Sequence, residues 1–186
     1  REIPEISNGD VIIERIVRKT GYKTKVAVIS ARGDIEPVGA CLGVKGFRIQ
    51  SIRKEINDEV VEVVAWSNDP KVLISNALNI QNYVQYEGDA RVFIVNNERN
   101  KAIVIVKDQT IQKNIVGNEG SNVSLAVELS GWNIDIKTEK EFEASEYAKL
   151  GSISFESVFT NVDNYEEVQE YEEVEEQKIV RYKRFV

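Results

Sequence analysis

The sequence predicts an α+β protein built from one structural unit that occurs twice, and three observations support this prediction. The order strand, helix, Gly-x-x-Gly, helix, strand appears around Gly43-Val44-Lys45-Gly46 and again around Gly117-Asn118-Glu119-Gly120. The closing strand lies at the same distance in both copies, because Val60 is 17 residues after Gly43 and Ile134 is 17 residues after Gly117. Apolar residues make up 42% of the 186 residues, which is enough to form a core.

In the first copy, β-branched residues dominate two short runs that predict neighbouring strands. Pro37 suits the first turn of a helix. Ile49, Ile52 and Ile56 lie on one face of a second helix, which Asn57-Asp58 ends. The predicted elements are strands at 11–17 and 25–29, a helix over 37–42, a helix from Phe47 and a strand at 60–66.

The second copy opens with a helix that the first copy lacks. Asp69 can accept hydrogen bonds from the first helical N–H groups, and Pro70 suits the first helical position. Asp108 predicts another capped helix, and Gly131 predicts where the last long helix stops. The predicted elements are a helix over 70–79, a weak strand at 83–86, strands at 90–95 and 101–106, a helix from Asp108, a helix after Gly120 and a strand at 132–136.

Composition excludes most enzyme chemistries. The chain has no histidine, so Ser-His-Asp and Cys-His nucleophile systems and HExxH zinc sites are impossible. The single cysteine, Cys41, is expected to be a core thiol, and it suits a reducing, cytoplasmic setting. We find no membrane-spanning run. We therefore expect a monomeric, non-enzymatic protein with no catalytic residue, cofactor or metal and no membrane association.

Charge is distributed unevenly along the chain. Val11 to Lys54 contains ten basic and three acidic residues, which makes it a candidate polyanion-binding surface or an ordinary basic face. Residues 142–186 contain 11 acidic and 5 basic residues. We expect this acidic tail to be flexible, and the alternative is a regulatory tail that competes with nucleic acid for a basic face.

The duplicated element order is that of a KH domain. The sequence thus predicts an α+β fold of two tandem type II (prokaryotic) KH domains, αββααβ, the first one lacking its opening helix, followed by the acidic tail. The expected boundaries are 1–66 for the first domain, 67–141 for the second and 142–186 for the tail. KH domains clamp about four nucleotides of a single strand, with a Gly-x-x-Gly loop against the backbone.

The candidate RNA-binding residues belong to the two loops and the helix starts that follow them. Glycine lets the protein backbone come close to an RNA strand. The N–H groups of the loop and the N-terminus of the next helix favour the binding of a phosphate group. Lys45 and Arg48 are expected to pair with phosphates. The alternative for each loop is a plain helix–turn–helix with glycine at the turn. The candidates are Gly43, Val44, Lys45, Gly46, Arg48, Gly117, Asn118, Glu119, Gly120, Ser121 and Asn122.

The run from Glu36 to Arg48 resembles the first KH domain of the NusA family of bacterial transcription factors. The resemblance continues at 61–70 and 74–78, and residues 1–6 and 131–136 also fit. It implies rigidly packed tandem KH domains that contact single-stranded nascent RNA. It also implies a factor that works with RNA polymerase and other transcription factors in pausing, termination and antitermination. The family's polymerase-binding N-terminal domain and S1 domain would precede this chain.

The second loop departs from the family pattern, which is Gly-Lys-x-Gly-Gln-Asn with an arginine three residues after the glutamine. Here Asn118, Ser121 and Ser124 replace the lysine, the glutamine and the arginine, and Glu119 adds an acid. We therefore expect the first loop to provide most of the RNA affinity. Two alternatives stay open: a KH protein that binds ribosomal RNA, and a degenerate KH pair that acts as a protein-interaction scaffold.

Overall fold

The computed structural model describes residues 2–86 and 88–145, which form two three-stranded sheets with helices packed against them. The elements of the first half are α1 (Pro4–Ser7), β1 (Val11–Lys19), β2 (Lys23–Ser30), α2 (Pro37–Leu42), α3 (Phe47–Glu55) and β3 (Val60–Ala65). Those of the second half are α4 (Pro70–Leu78), β4 (Ala90–Asn96), β5 (Lys101–Val106), α5 (Gln109–Val116), α6 (Ser121–Ser130), β6 (Asn133–Thr138) and α7 (Glu139–Glu143). Single 3₁₀ turns lie at Ile80–Asn82 and within the two Gly-x-x-Gly loops.

Both sheets have the same topology. The strand orders are β1-β2-β3 and β4-β5-β6, and the central strand of each is antiparallel to the strand before it and parallel to the strand after it. A parallel pair needs a long crossover, which α2 and α3 provide in the first half and α5 and α6 in the second. The predicted tandem αββααβ fold is confirmed. In the first half the one-turn helix α1 stands where the second half has the nine-residue α4.

Side-chain caps begin the helices where the sequence predicts them. Asp69 accepts a hydrogen bond from the Lys71 N–H, and Asp108 accepts from the N–H groups of Thr110 and Ile111. Each cap satisfies backbone donors that have no partner inside the helix. Glu36 caps α2 in the same way.

The weak strand predicted at Tyr83–Tyr86 is wrong. The carboxylate of Asp89 accepts hydrogen bonds from the backbone N–H groups of Gln85 and Tyr86, at 3.2 Å and 3.1 Å. These donors are therefore used in a local turn and are not offered to a strand ladder. The buried Asp89 also pairs with Lys107 at 3.1 Å, so the turn is fixed to the end of β5.

The described structure continues past the expected end of the second domain at 141. That position lies inside α7, which contacts β5 and β6 and whose Phe142 is buried. Residues 146–186, which make up most of the predicted acidic tail, lie outside the described residues.

One apolar cluster joins the two halves. It contains Val17, Ala27 and Val64 from the first sheet, together with α4, α6 and β5 residues of the second half. Polar contacts reinforce this packing, since Arg15 donates to the Leu129 carbonyl at 2.8 Å. The two halves therefore pack as one compact unit, and this packing fixes the positions of their loops.

The same packing buries a charged cluster between the halves. Lys25 is fully buried and pairs with Glu62, which also accepts a hydrogen bond from the Asn79 amide of the second half at 3.0 Å. Burial lowers the pKa of Lys25 from its ordinary value, while Glu62 opposes this effect.

None of the helices in the described ranges is long and apolar enough to cross a membrane.

Candidate nucleic-acid interface

The two Gly-x-x-Gly loops have nearly the same backbone conformation. Gly43 lies at φ 69°, ψ 179° and Gly117 at φ 76°, ψ 171°. The third loop residues, Lys45 and Glu119, are both left-handed, at φ 51°, ψ 27° and φ 52°, ψ 30°. The closing glycines also agree, at φ 74°, ψ 16° and φ 71°, ψ 13°. The loops thus differ in side chains on a shared backbone.

Gly43 and Gly117 are needed because a side chain packs directly against each. A Cβ atom on Gly43 would lie 2.8 Å from Cγ of Arg48, and one on Gly117 would lie 2.7 Å from Cβ of Asn122. Both contacts are too short for real carbon atoms. The packing residue is the fifth after the first glycine in each copy, so the next helix closes over the loop in the same way.

Arg48 is held inside the first loop. Its Nη1 donates to the Ala40 carbonyl at 2.6 Å and to Oε2 of Glu5 at 2.8 Å. A hydrogen bond with its own backbone, together with the one from Arg48, lowers the pKa of Glu5 from its ordinary value. The Arg48 side chain is 29% exposed. Arg48 therefore connects α1 and α2 to the loop. The sequence predicts a phosphate contact for Arg48 but not this structural role.

Asn122 and Ser121 face the protein interior, although both were candidates for RNA contact. Asn122 is 3% exposed, and its Nδ2 donates to the carbonyls of Ile115 at 2.8 Å and Leu78 at 3.1 Å. Ser121 is 5% exposed, and its hydroxyl lies 3.0 Å from the hydroxyl of Tyr22 in the first half. These side chains stabilise the second loop and its contact with the first domain, and they present little surface to a strand.

A groove lies beside each loop. The first has a volume of about 800 Å³, and it is lined by the loop, by α2 and α3 residues and by Glu5. The second is smaller, at about 500 Å³, and its lining includes Lys113, Asn118 and Glu119. Sequence reasoning missed Glu5 and Lys113 as groove residues, because each comes from a helix that precedes the loop.

The basic excess predicted for Val11 to Lys54 is partly neutralised in the fold. Five of its ten basic residues form ion pairs. These five are Arg18, Lys23, Lys25, Arg32 and Arg48. Lys45 differs because it is exposed and has no ion pair or hydrogen bond with another described residue. The positive charge that the first loop offers to a ligand is therefore concentrated at Lys45.

Two apolar side chains project from the first loop, and sequence reasoning identified only one of them. Val44 is 84% exposed, and Phe47, the first residue of α3, is 70% exposed. Both line the groove beside the loop. The sequence does contain a signal for Phe47. This residue lies off the apolar stripe formed by Ile49 and Ile52, so the helix is not expected to bury it.

Cys41 is buried behind the first loop, as expected for a core thiol. It is 1% exposed, and burial raises the pKa of its thiol above the ordinary value. A smaller fraction of the thiol is therefore in the thiolate form at neutral pH. Within the described ranges, no group of three or more Cys, Asp or Glu side chains is arranged to hold a metal ion.

The folds and loops define a class of protein. Each half has a sheet with one antiparallel and one parallel pair, and each places Gly-x-x-Gly between the two crossover helices. The chain is thus a tandem pair of type II KH domains. Residues 1–66 match the model of the NusA-like first KH domain, and residues 70–144 match that of the NusA-like second KH domain. Through these domains, the chain belongs to the NusA family.

Curated relatives agree with this assignment. "Transcription termination/antitermination protein NusA" of Borreliella burgdorferi is 37% identical over 174 residues, which cover 90% of this chain and 35% of that protein. The proteins of the same name from Thermus thermophilus and Halalkalibacterium halodurans are each 39% identical, over 81% and 75% of this chain. The chain spans 35% of the length of each of these three relatives.

Proposed function

We propose that this chain is the RNA-binding portion of a bacterial transcription termination/antitermination factor and that it clamps single-stranded RNA mainly through its first loop. One observation carries the proposal. The first Gly-x-x-Gly loop presents Lys45, its only exposed charge, beside a groove of about 800 Å³, on a backbone suited to close approach. The family assignment supports RNA as the ligand.

The chemistry of the clamp follows from the N-terminus of α3. Its N-cap is Gly46, which provides no side-chain hydrogen bond, and the N–H of Phe47 already donates to the Val44 carbonyl within the loop. We propose that the next N–H groups of the first helical turn donate to an external acceptor. These groups and the positive end of the helix dipole favour a phosphate. Lys45 adds a full charge at the same place. Unpaired bases of the same strand then enter the groove beside the loop.

The second loop contributes less in this proposal. Its helix start at Gly120 likewise has no side-chain cap, but Asn118 and Glu119 stand where the first loop has Val44 and Lys45. A carboxylate next to a phosphate site repels the phosphate, and this repulsion offsets the attraction of the amides. Lys113, in the groove, is the cation that reduces this effect.

The wider role of the chain is proposed from its relatives. These relatives are transcription termination/antitermination proteins by name, so we infer that this chain works in the cytoplasm on nascent RNA with RNA polymerase and other transcription factors. It does so without catalysis, cofactor or membrane association, and as a monomer. The second candidate is a protein-interaction scaffold, and the observation that favours it is the acidic second loop.

Titration of the full chain into a labelled single-stranded RNA tests the proposal. Binding should weaken steeply between 50 mM and 200 mM salt, because phosphate contacts release counterions. A duplex of the same sequence is the matched control and should bind more weakly, because its bases are not free to enter a groove. Absence of binding at low salt would contradict the proposal and favour the scaffold.

A further inference from the structure

We propose that Phe47 is a stacking platform for an unpaired base next to the nucleotide whose phosphate sits at the first loop. The inference deepens the proposed RNA-binding function and rests on it. It adds an aromatic contact within the groove lining to the phosphate clamp.

The exposure of Phe47 has no explanation within the fold. In the described part of the chain, Val44, Phe47 and Tyr86 are the most exposed large hydrophobic side chains, at 84%, 70% and 68%. Of these three, Val44 lies in the first loop and Phe47 directly follows it. Leaving a phenyl ring in water forfeits roughly 1.5–3 kcal/mol relative to burying it. A partner that covers the ring would recover this free energy.

The second domain provides an internal comparison. The residue at the same place in the second copy is Ser121, which is buried and hydrogen-bonded to Tyr22. The helix start itself therefore does not need an exposed aromatic residue. In the first domain, α3 buries Ile49 on its inner side and leaves Phe47 on the side of the groove.

The surroundings of Phe47 favour a nucleotide over an apolar protein surface. Lys45 lies two residues before it, and the groove that it lines also contains Arg48 and Glu5. An apolar protein surface that covered the ring would also cover these charges, and removing them from water is costly. In a nucleotide, one sugar separates the anionic phosphate from the flat base. The phosphate can therefore pair with Lys45 while the base stacks on Phe47.

Substitutions of Phe47 in the full chain test this inference. The RNA affinity of Phe47→Ala should fall roughly 5- to 150-fold, since one base–aromatic stack contributes about 1–3 kcal/mol. Phe47→Trp should bind at least as well as the wild type, whereas Phe47→Leu should lose most of the affinity. The salt dependence should stay that of the wild type, because stacking releases no counterions. Tyr86→Ala is the matched control, an exposed aromatic residue outside the groove lining, and should bind normally.

The outcomes separate this inference from the function on which it rests. A wild-type chain that binds RNA while Phe47→Ala binds equally well would overturn the inference and leave the clamp intact; it would assign the ring to a protein partner. Normal binding by Phe47→Leu would also overturn it, because an aliphatic side chain cannot stack. A wild-type chain that fails to bind RNA would refute the proposed function itself.

Discussion

The two Gly-x-x-Gly loops of this chain share a backbone and differ in what they present on it. Their glycine torsions agree within about 10°, and each is closed by the fifth residue after its first glycine. The first loop, however, exposes Val44, Lys45 and the neighbouring Phe47, whereas the second exposes Asn118 and Glu119. The loop backbone is therefore common to the fold of both domains, and we propose that the side chains decide what each loop can bind.

The first residues of the helices that follow the loops also differ: those of the first domain remain at the groove, and those of the second are buried. In the first domain, Arg48 holds the loop through Glu5 and a carbonyl, and it remains at the groove. In the second, Asn122 and Ser121 are buried and connect the loop to α4 and to Tyr22 of the first domain. The second loop is therefore also part of the joint between the domains, and this role accounts for its structure even without RNA.

Of the changes within the two loops, reversing the charge at the first loop has the largest expected effect. Replacing Val44 and Lys45 by aspartates should lower RNA affinity by about 50-fold, because one phosphate contact is lost and two negative charges are added. The same change at Asn118 and Glu119 should alter affinity less than about twofold. Titration of both variants with the same RNA checks this, and equal losses would show that the loops contribute equally.

A second prediction concerns stability and the joint role of the second loop. Asn122→Ala should lower the free energy of unfolding by about 1–3 kcal/mol, because the Leu78 and Ile115 carbonyls lose their donor in a buried site. The Oδ1 atom of Asn122 has no described partner, so its removal costs little. Denaturant unfolding measures the loss. The exposed Asn118→Ala is the control; if both variants were equally stable, Asn122 would not hold the joint.

A third, smaller effect depends on pH and distinguishes the hairpins of the two domains. Hydrogen bonds from Arg18, Thr24 and the Gly21 N–H hold the pKa of Glu59 at about 2. Because this pKa is lowered in the folded state, the stabilisation is complete above the ordinary value of 4.5 and is lost as the pH falls towards 2. The corresponding turn of the second domain is held by the uncharged Asn96, which accepts from the Arg99 N–H.

Thermal melting of the wild type and Glu59→Gln between pH 6 and pH 2 measures this effect. The difference in Tm should be largest above pH 4.5 and should shrink towards pH 2, where about half of the wild-type Glu59 carboxylate is protonated. A difference that stays constant over this range would contradict the assigned role of Glu59.

Local signals in the sequence predicted most of the fold. The caps at Asp69 and Asp108 and the glycine positions of both loops are set by neighbouring residues, so the pattern alone places the helices. The turn at Tyr83–Tyr86 could not be predicted in this way. It depends on Asp89, whose carboxylate competes with the strand ladder for backbone donors, and composition does not show that competition.

Contacts between distant residues explain what the sequence did not show at the site. The basic excess of Val11 to Lys54 suggested a polyanion-binding face, but its partners Glu5, Glu59 and Glu62 lie outside that window. Burial of Lys25, Ser121 and Asn122 likewise results from packing between the two domains. Charge counted along a sequence therefore overstated the free positive charge, and within the first Gly-x-x-Gly loop that charge is Lys45.

Exchanging the loop sequences tests the central claim most directly. Val44→Asn with Lys45→Glu gives the first loop the residues of the second, and Asn118→Val with Glu119→Lys does the reverse. Both exchanges keep the glycines, so the fold should be retained. We predict that the first exchange removes most RNA affinity and that the second, added to it, restores binding in part. Unchanged affinity after the first exchange would contradict the claim that the side chains of the first loop carry RNA binding.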